Sequence, residues 1–390
     1  MIFANDSKKN NGSSKMDMML LKRTRYTEHA AEACIRCIEG ILKEDGGHDS
    51  PLRAASEVIK RLHHDATVDG QFWFVDDRTD QQHRNAAIGA WPLWINEQAR
   101  NDERPLFYLT QSPTSRHLST LTAQTAERGI ILNDIESSPS RWTKGAHPWL
   151  PLWLASNRQC MPFDPACGEE VKAILTGALH DLYIKGEPGF CYLTLHCEPV
   201  EKLICDRSHA YLGMYRLSEP KTSQPRIRLL GAGLVLREVR AAARLLKQDW
   251  GIESEVWSCP SYTRLARDTA NVPGGDFGPG RHTRRDSHLH VCLNKSRLPI
   301  VAVTAYAEFV SAQLGAYLDV PFMAIGSDTF SFNQFPDRNW ITYCALNTLA
   351  QQGEIAAQEL SRALNLYGLS EVAMNHPRLG GVPTLERRAL

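Results

Sequence analysis

The chain has 390 residues, 43% of them hydrophobic, with 44 basic and 44 acidic residues. This length allows two or three domains with substantial cores, and the zero net charge argues against a nucleic-acid partner, which would need clustered positive charge. No run approaches the ~20 apolar residues that span a bilayer, so we expect no membrane segment. The polar start carries no signal peptide, which predicts a soluble, cytoplasmic protein with a disordered tail over residues 1–20.

The first half predicts helices alternating with short apolar strands. Helical spacing over 30–42 includes Cys34 and Cys37, and without a second CxxC motif we interpret these cysteines as ordinary helix residues rather than zinc ligands. Residues 135–158, rich in Ser, Pro and Trp, are predicted to form a long loop. The other predicted elements are helices over 52–62, 86–98 and 164–183, and strands over 71–75, 105–110, 129–132 and 190–196.

The second half follows a polar boundary at 218–224. An apolar strand over 226–230 leads through Gly231-Ala232-Gly233 into a helix over 236–247, and further strands are predicted over 255–259, 300–303 and 322–325. Strand alternating with helix in both halves predicts an α/β protein. We expect two three-layer α/β/α domains with mostly parallel sheets, over residues 21–218 and 219–390.

Two motifs suggest ligand sites. Gly231-Ala232-Gly233 lacks the third glycine of a dinucleotide fingerprint, because position 236 is Leu, so the glycines are interpreted as a tight turn. His288 and His290 would share one face of a strand, as two metal ligands could, and His282 lies nearby. No carboxylate or cysteine completes that set, so we interpret this stretch as a solvated loop or a substrate-facing edge and predict no metal site.

Segments of the second half resemble, in order, the C-terminal domain of the homodimeric-type pyruvate dehydrogenase decarboxylating component, a thiamine diphosphate enzyme of the transketolase superfamily. These segments are residues 226–246, 249–258, 261–268, 300–314, 320–330, 346–355 and 375–379. Upstream segments resemble the middle domain of that family, which holds the aminopyrimidine half of the cofactor. These are residues 71–79, 88–94, 105–112, 127–133 and 164–183. The resemblance implies a transketolase-like fold.

The resemblance also implies which site residues have changed. The family glutamate that relays a proton to the pyrimidine precedes a Gly-Ala step, and here that step is Ile88-Gly89-Ala90 preceded by Ala87. The aromatic ring that stacks on the pyrimidine corresponds to Thr114. His147 is the one counterpart of the active-site histidines, and we take it as the candidate catalytic residue. The Gly-Asp-Gly motif of the diphosphate-binding domain does not occur.

Three hypotheses follow from this resemblance. The chain is a β-like subunit of a thiamine diphosphate-dependent 2-oxo-acid dehydrogenase or decarboxylase system, and it is inactive alone. A partner carrying the diphosphate domain then completes the thiamine diphosphate and magnesium site. Alternatively, it is a pseudoenzyme that scaffolds or regulates a homologue, or its pocket serves different chemistry through His147 or the cysteines. A homodimer is expected, with an acyl-carrier protein as a further possible partner.

Overall fold

The computed structural model describes residues 23–44, 50–78, 102–124, 128–137, 140–199, 203–218, 224–272, 286–294, 296–330 and 334–369. The tail predicted over 1–20 and the helix predicted over 86–98 lie outside these ranges. Among the helices of the described residues, none is long and apolar enough to cross a membrane.

The first domain is built on a fully parallel five-stranded sheet. Its strands are β1 (Trp73–Asp76), β2 (Leu106–Thr110), β3 (Arg128–Asn133), β4 (Cys160–Phe163) and β5 (Gly189–Thr194). Their order across the sheet is β1-β2-β3-β5-β4. Every residue of β2, β3 and β5 is buried, as expected for a parallel sheet that is covered on both faces.

Helices cover both faces of this sheet. They are α1 (Arg25–Glu44), α2 (Pro51–His64), α3 (Ser115–Gln124), α4 (Trp149–Ser156), α5 (Gly168–Leu179), which continues as a π-helical turn over His180–Ile184, and α6 (Arg207–Leu212). The side chains of β2 alternate between two cores. Phe107 and Leu109 face α1, α2 and α5, whereas Tyr108 faces α3 and α4. The first domain therefore has three layers, with the sheet between two layers of helices.

The second domain has its own five-stranded sheet. Its strands are β6 (Tyr215–Ser218), β7 (Ile227–Gly231), β8 (Ser254–Ser258), β9 (Ile300–Val303) and β10 (Phe322–Ile325). The order is β10-β9-β7-β8-β6, and only β6, at one edge, runs antiparallel to its neighbour. The chain therefore joins the second sheet at Tyr215, a few residues before the predicted boundary.

Six helices of the second domain also lie on both sides of their sheet. They are α7 (Leu236–Trp250), α8 (Tyr262–Asn271), α9 (His288–Leu293), α10 (Phe309–Ala312), α11 (Arg338–Gln351) and α12 (Gln358–Tyr367). One core lies between the sheet and α7, α11 and α12, and the other lies beneath α8 and α9. The predicted pair of three-layer α/β domains is thus confirmed.

The structure differs from the sequence-based expectations at three places. The predicted loop over 135–158 contains α4, whose apolar residues have no amphipathic period to reveal the helix. Strand β4 was missed because its Cys-Met-Pro-Phe sequence is short and contains a proline. His288 and His290 lie on helix α9 and not on a solvated loop or a strand edge, because the Ser287 side chain accepts a hydrogen bond from the His290 backbone N–H and caps the helix.

Candidate functional site between the two domains

Polar side chains collect where the parallel strands of the first sheet end. The carboxyl edge of a parallel sheet is the usual position of a ligand site in α/β proteins. Five polar residues lie at or just after the ends of β1 to β5, namely Asp77, Thr110, Asn133, Asp164 and Thr194. Four of them are buried to 7% exposure or less, and Asp77 is partly buried.

In the second sheet, the strand order reverses between β7 and β9, and this position also belongs to the candidate site. The connection after β7 leads to β8 on one side, and the connection after β9 leads to β10 on the other. Such a reversal opens a crevice at the carboxyl ends of the two strands. Gly231-Ala232-Gly233 follows β7 there, and Thr304 follows β9.

A buried lysine joins these two regions. The Lys144 ammonium lies 2.8 Å from Oδ1 of Asp164 and 2.6 Å from Oε1 of Glu136, and its side chain is 2% exposed. Lys144 Nζ also lies 5.0 Å from the centre of the Tyr306 ring, which belongs to the second domain. We call Lys144, Glu136, Asp164 and Tyr306 the lysine cluster. Its side chains come from the loops that follow β3, β4 and β9, so the cluster links the two domains.

The lysine cluster contains two carboxylates for one cation. Burial raises the pKa of Glu136 to about 7 against the opposing effect of Lys144, and it also raises the pKa of Asp164. Burial disfavours the charged Lys144, but the two carboxylates outweigh it and raise the lysine pKa. Oδ2 of Asp164 has no hydrogen-bond partner among the described residues. The cluster can therefore hold or release a proton near neutral pH.

Asp164 also occupies the turn that follows β7. Gly233 has a φ of +55°, and a Cβ placed on it would lie 2.1 Å from Oδ1 of Asp164. The Gly233 N–H donates to the Asp164 carbonyl oxygen at 2.9 Å. The carboxylate thus fills the space in which a dinucleotide phosphate would approach a glycine-rich turn. This contact agrees with the interpretation of the glycines as a tight turn.

A second buried carboxylate joins the domains without any cation. Glu170, at the start of α5, is fully buried. Its carboxylate accepts hydrogen bonds from the Ala166 backbone N–H at 2.6 Å, the Tyr215 hydroxyl at 2.7 Å and the Ser258 hydroxyl at 2.6 Å. Burial raises the pKa of Glu170, and these donors oppose the rise.

A small pocket opens beside the lysine cluster, with a volume of about 60 Å³. Residues of both domains line it: Trp142, Thr143, Lys144, Ala146, Pro148 and Pro151 from the first, and Ala305, Tyr306, Ala307, Ser327 and Asp328 from the second. Most of these lining residues are apolar, and the pocket is too small for a whole cofactor.

The structure brings two predicted site residues close together. The His147 backbone N–H donates to the Pro113 carbonyl oxygen at 2.8 Å, next to Thr114. The half-buried His147 ring packs edge-on against Trp142, which lines the pocket, with ring centres 5.2 Å apart. Thr114 itself is exposed. Ala87 lies outside the described residues.

Sequence reasoning missed the other members of this site. Glu136, Lys144, Asp164 and Tyr306 are far apart in the chain and match no motif. The same is true of His196, which follows β5, is 1% exposed and has no hydrogen-bond partner on either ring nitrogen among the described residues. Burial, with Lys144 and Arg237 nearby, lowers the His196 pKa to about 3, so the ring is neutral.

At the two positions that the resemblance predicts for the pyrimidine contacts, this chain has Thr114 and Ala87. Thr114 is exposed and has no ring to stack on a pyrimidine, and an alanine side chain cannot relay a proton. Among the described residues, no group of three or more His, Cys, Asp or Glu side chains could hold a metal ion. Burial raises the pKa of Cys160 to about 12, which disfavours a reactive thiolate at that position.

Comparison with known proteins agrees with the fold. The family model of the transketolase-like C-terminal domain matches residues 213–333. The pyruvate dehydrogenase E1 component of Cupriavidus necator is 32% identical over 232 residues, which are 56% of this chain and 26% of that protein. The chain resembles pyruvate dehydrogenase E1 components. The Escherichia coli K12 protein of the same name is 28% identical over 234 residues, again 56% of this chain and 26% of that protein.

A solved structure shows the same fold across both domains. Transketolase from Leishmania mexicana aligns with a TM-score of 0.52 at 12% identity, covering 90% of this chain and 50% of that one. The chain spans about a quarter of the length of the pyruvate dehydrogenase E1 components that it matches.

Proposed function

We propose that this chain is the β-type subunit of a thiamine diphosphate-dependent system that decarboxylates a 2-oxo acid. A partner polypeptide would carry the diphosphate-binding domain and hold the cofactor with magnesium. The observation that carries this proposal is the transketolase-like C-terminal domain fused behind a second parallel α/β domain, with relatives named pyruvate dehydrogenase E1 component. Because the position of Thr114 does not fit the pyrimidine, the partner would supply the contacts that activate the cofactor.

In this proposal the chain would form one side of the active site and supply the candidate catalytic residue, His147. The lysine cluster links the two domains, and Lys144 and Tyr306 line the pocket beside it. The Trp149 backbone N–H donates to Nδ1 of His147 at 3.3 Å, which leaves the proton of the neutral ring on Nε2. His147, the candidate catalytic residue, would therefore place its Nε2–H beside Trp142.

Calorimetry tests this proposal. The purified chain is titrated with thiamine diphosphate and magnesium, alone and after addition of a protein that carries the diphosphate domain. We expect binding only in the mixture, and we expect Ala87→Glu to strengthen it, because a glutamate at that position could bond the pyrimidine. Absence of heat in both titrations would overturn the subunit proposal.

A non-catalytic scaffold is the second candidate. The exposed Thr114 favours it, together with the Asp164 carboxylate that fills the turn after β7. A scaffold would bind an intact homologue and change its activity or lifetime without binding cofactor. Adding the chain to a purified pyruvate dehydrogenase E1 component and measuring sedimentation and turnover distinguishes it from the subunit.

A further inference from the structure

Two histidine rings stack on each other where the first domain meets the second. His209 lies on α6 and His288 lies on α9, and their ring centres are 5.2 Å apart with an angle of 18° between the ring planes. His209 is exposed, whereas His288 is buried to 8% exposure. Because histidine is the side chain that ordinarily changes its charge between about pH 5 and 8, this contact between the domains can become charged in that range.

The hydrogen bonds of the two rings determine where each ring gains its second proton. Nδ1 of His209 lies 2.6 Å from Oδ2 of Asp206, so Nδ1 carries the proton of the neutral ring and Nε2 accepts the second. Nε2 of His288 lies 2.8 Å from the Met214 carbonyl oxygen, which can only accept, so the neutral ring is protonated at Nε2 and the second proton adds at Nδ1. Protonation therefore keeps both hydrogen bonds and places two like charges in the stack.

Ionisable groups of α8 and α9 also act on the buried ring. Oδ2 of Asp268 accepts a hydrogen bond from the His288 backbone N–H at 2.8 Å, and Sγ of Cys292 lies 3.5 Å from Nε2 of His288. Burial lowers the pKa of His288, and the charges of His209 and Arg264 lower it further. The hydrogen bond of the ring to the backbone and the charge of Asp268 act in the opposite direction. Because the folded pKa lies below the ordinary value of 6.5, neutral His288 stabilises the fold above about pH 6.5, and this contribution is lost as the pH falls.

We propose that the stack of His209 on His288 is an acid-sensitive contact between the domains, which holds α9 against α6 at pH 8 and loosens when both rings are protonated. Two positive charges 5.2 Å apart repel each other, and the repulsion is stronger where burial keeps water away from one of them. The exposed ring has Asp206 as a carboxylate partner, so the proton that creates the repulsion is the one that adds to His288. This proposal is independent of the function proposed above, because it needs neither cofactor nor catalysis.

An NMR titration of the histidine rings in the full chain tests whether the two charges interact. His209→Phe keeps a ring over His288 but cannot be charged, and it should raise the titration midpoint of His288 by about one pH unit. His209→Arg is charged at every pH and should lower that midpoint instead. The matched control is His290→Gln, because the His290 ring contacts Ser287 Oγ and the Tyr317 carbonyl oxygen, each at 3.0 Å, and not the stack. Shifts in the same direction for the two His209 variants, or no shift in either, would overturn the proposal.

Hydrogen exchange of the α9 backbone amides, followed by mass spectrometry, tests whether the contact loosens. At pH 5, α9 of the wild type should exchange about tenfold faster than α9 of His209→Phe, and at pH 8 the two should exchange equally. Comparing the two chains at one pH removes the effect of pH on the exchange chemistry, and α11 is the reference within each sample. Equal exchange of α9 at pH 5, the same difference at both pH values, or a difference that extends to α11 would contradict a local, acid-sensitive contact.

Discussion

Two buried carboxylate sites join the domains, and they are stabilised in different ways. Glu170 accepts three hydrogen bonds from neutral donors, and within the described ranges neither of its carboxylate oxygens lacks a partner. Asp164 and Glu136 instead share the single cation of Lys144, and Oδ2 of Asp164 has no hydrogen-bond partner among the described residues. Buried polar groups in a purely structural site are normally satisfied. The contrast shows that the hydrogen bonds of Glu170 are satisfied within the protein, whereas the lysine cluster retains a buried oxygen without a partner among the described residues.

Removing the Lys144 cation should cause the largest loss in the free energy of unfolding. Lys144→Met leaves two carboxylates buried together, and we expect a loss of about 3–5 kcal/mol in the free energy of unfolding at pH 8. The loss should shrink at pH 5, where the carboxyls protonate, and urea denaturation measures both. Lys172→Met is the control, because its partner Glu169 keeps Arg207 at 2.7 Å. Equal losses in the two variants would contradict the role given to Lys144.

Filling the space beside Asp164 should lower the free energy of unfolding by almost as much as removing the Lys144 cation. Gly233→Ala puts a Cβ against the carboxylate and also strains a backbone with a φ of +55°, so we expect a loss of about 3 kcal/mol. Gly251→Ala shares the strain, with a φ of +64°, but meets no atom within 4 Å and should cost only about 1 kcal/mol. Thermal unfolding compares the two. A Gly233 variant no worse than the Gly251 variant would mean that Asp164 moves aside freely.

The charge of Glu136 should make stability depend on pH. Its folded pKa of about 7 lies above the unfolded value of 4.5, so the folded state binds the extra proton. Wild-type stability should then fall as the pH rises from 4.5 to 7, by up to roughly 3 kcal/mol. Glu136→Gln should abolish that fall, whereas Glu32→Gln, at a half-exposed position on α1, should retain it. Parallel stability curves for wild type and Glu136→Gln would refute the assignment.

The smallest expected effect concerns Glu170. Tyr215→Phe removes one donor from a buried carboxylate and should cost about 2 kcal/mol. Tyr262→Phe removes a hydroxyl that donates at 3.0 Å to the uncharged Val303 carbonyl oxygen, and it should cost about 1 kcal/mol. Denaturant midpoints measure the difference. A smaller loss for Tyr215→Phe would mean that Glu170 is protonated and gains little from its donors.

The fold was far easier to predict from sequence than the site. Strands β9 and β10 match their predicted bounds, because short apolar runs between turns identify buried parallel strands. Helix α4 was missed because a helix that is apolar on every side has no period to detect. The lysine cluster was missed for a different reason. Lys144 and Asp164 are 20 residues apart, and only the sheet order brings them together.

Arg267 of the second domain caps α4, because its guanidinium donates to the carbonyl oxygens of Leu154, Ala155, Asn157 and Cys160. These contacts affect the order in which the two domains can fold. Arg267 is 107 residues downstream of Cys160, whose carbonyl oxygen it binds, so α4 and β4 are synthesised long before their arginine. Until that arginine arrives, the last carbonyl groups of α4 belong to an incomplete intermediate. Domains commonly fold one after another during synthesis. Here the hydrogen bonds that cap α4 can form only after Arg267 of the second domain has been synthesised.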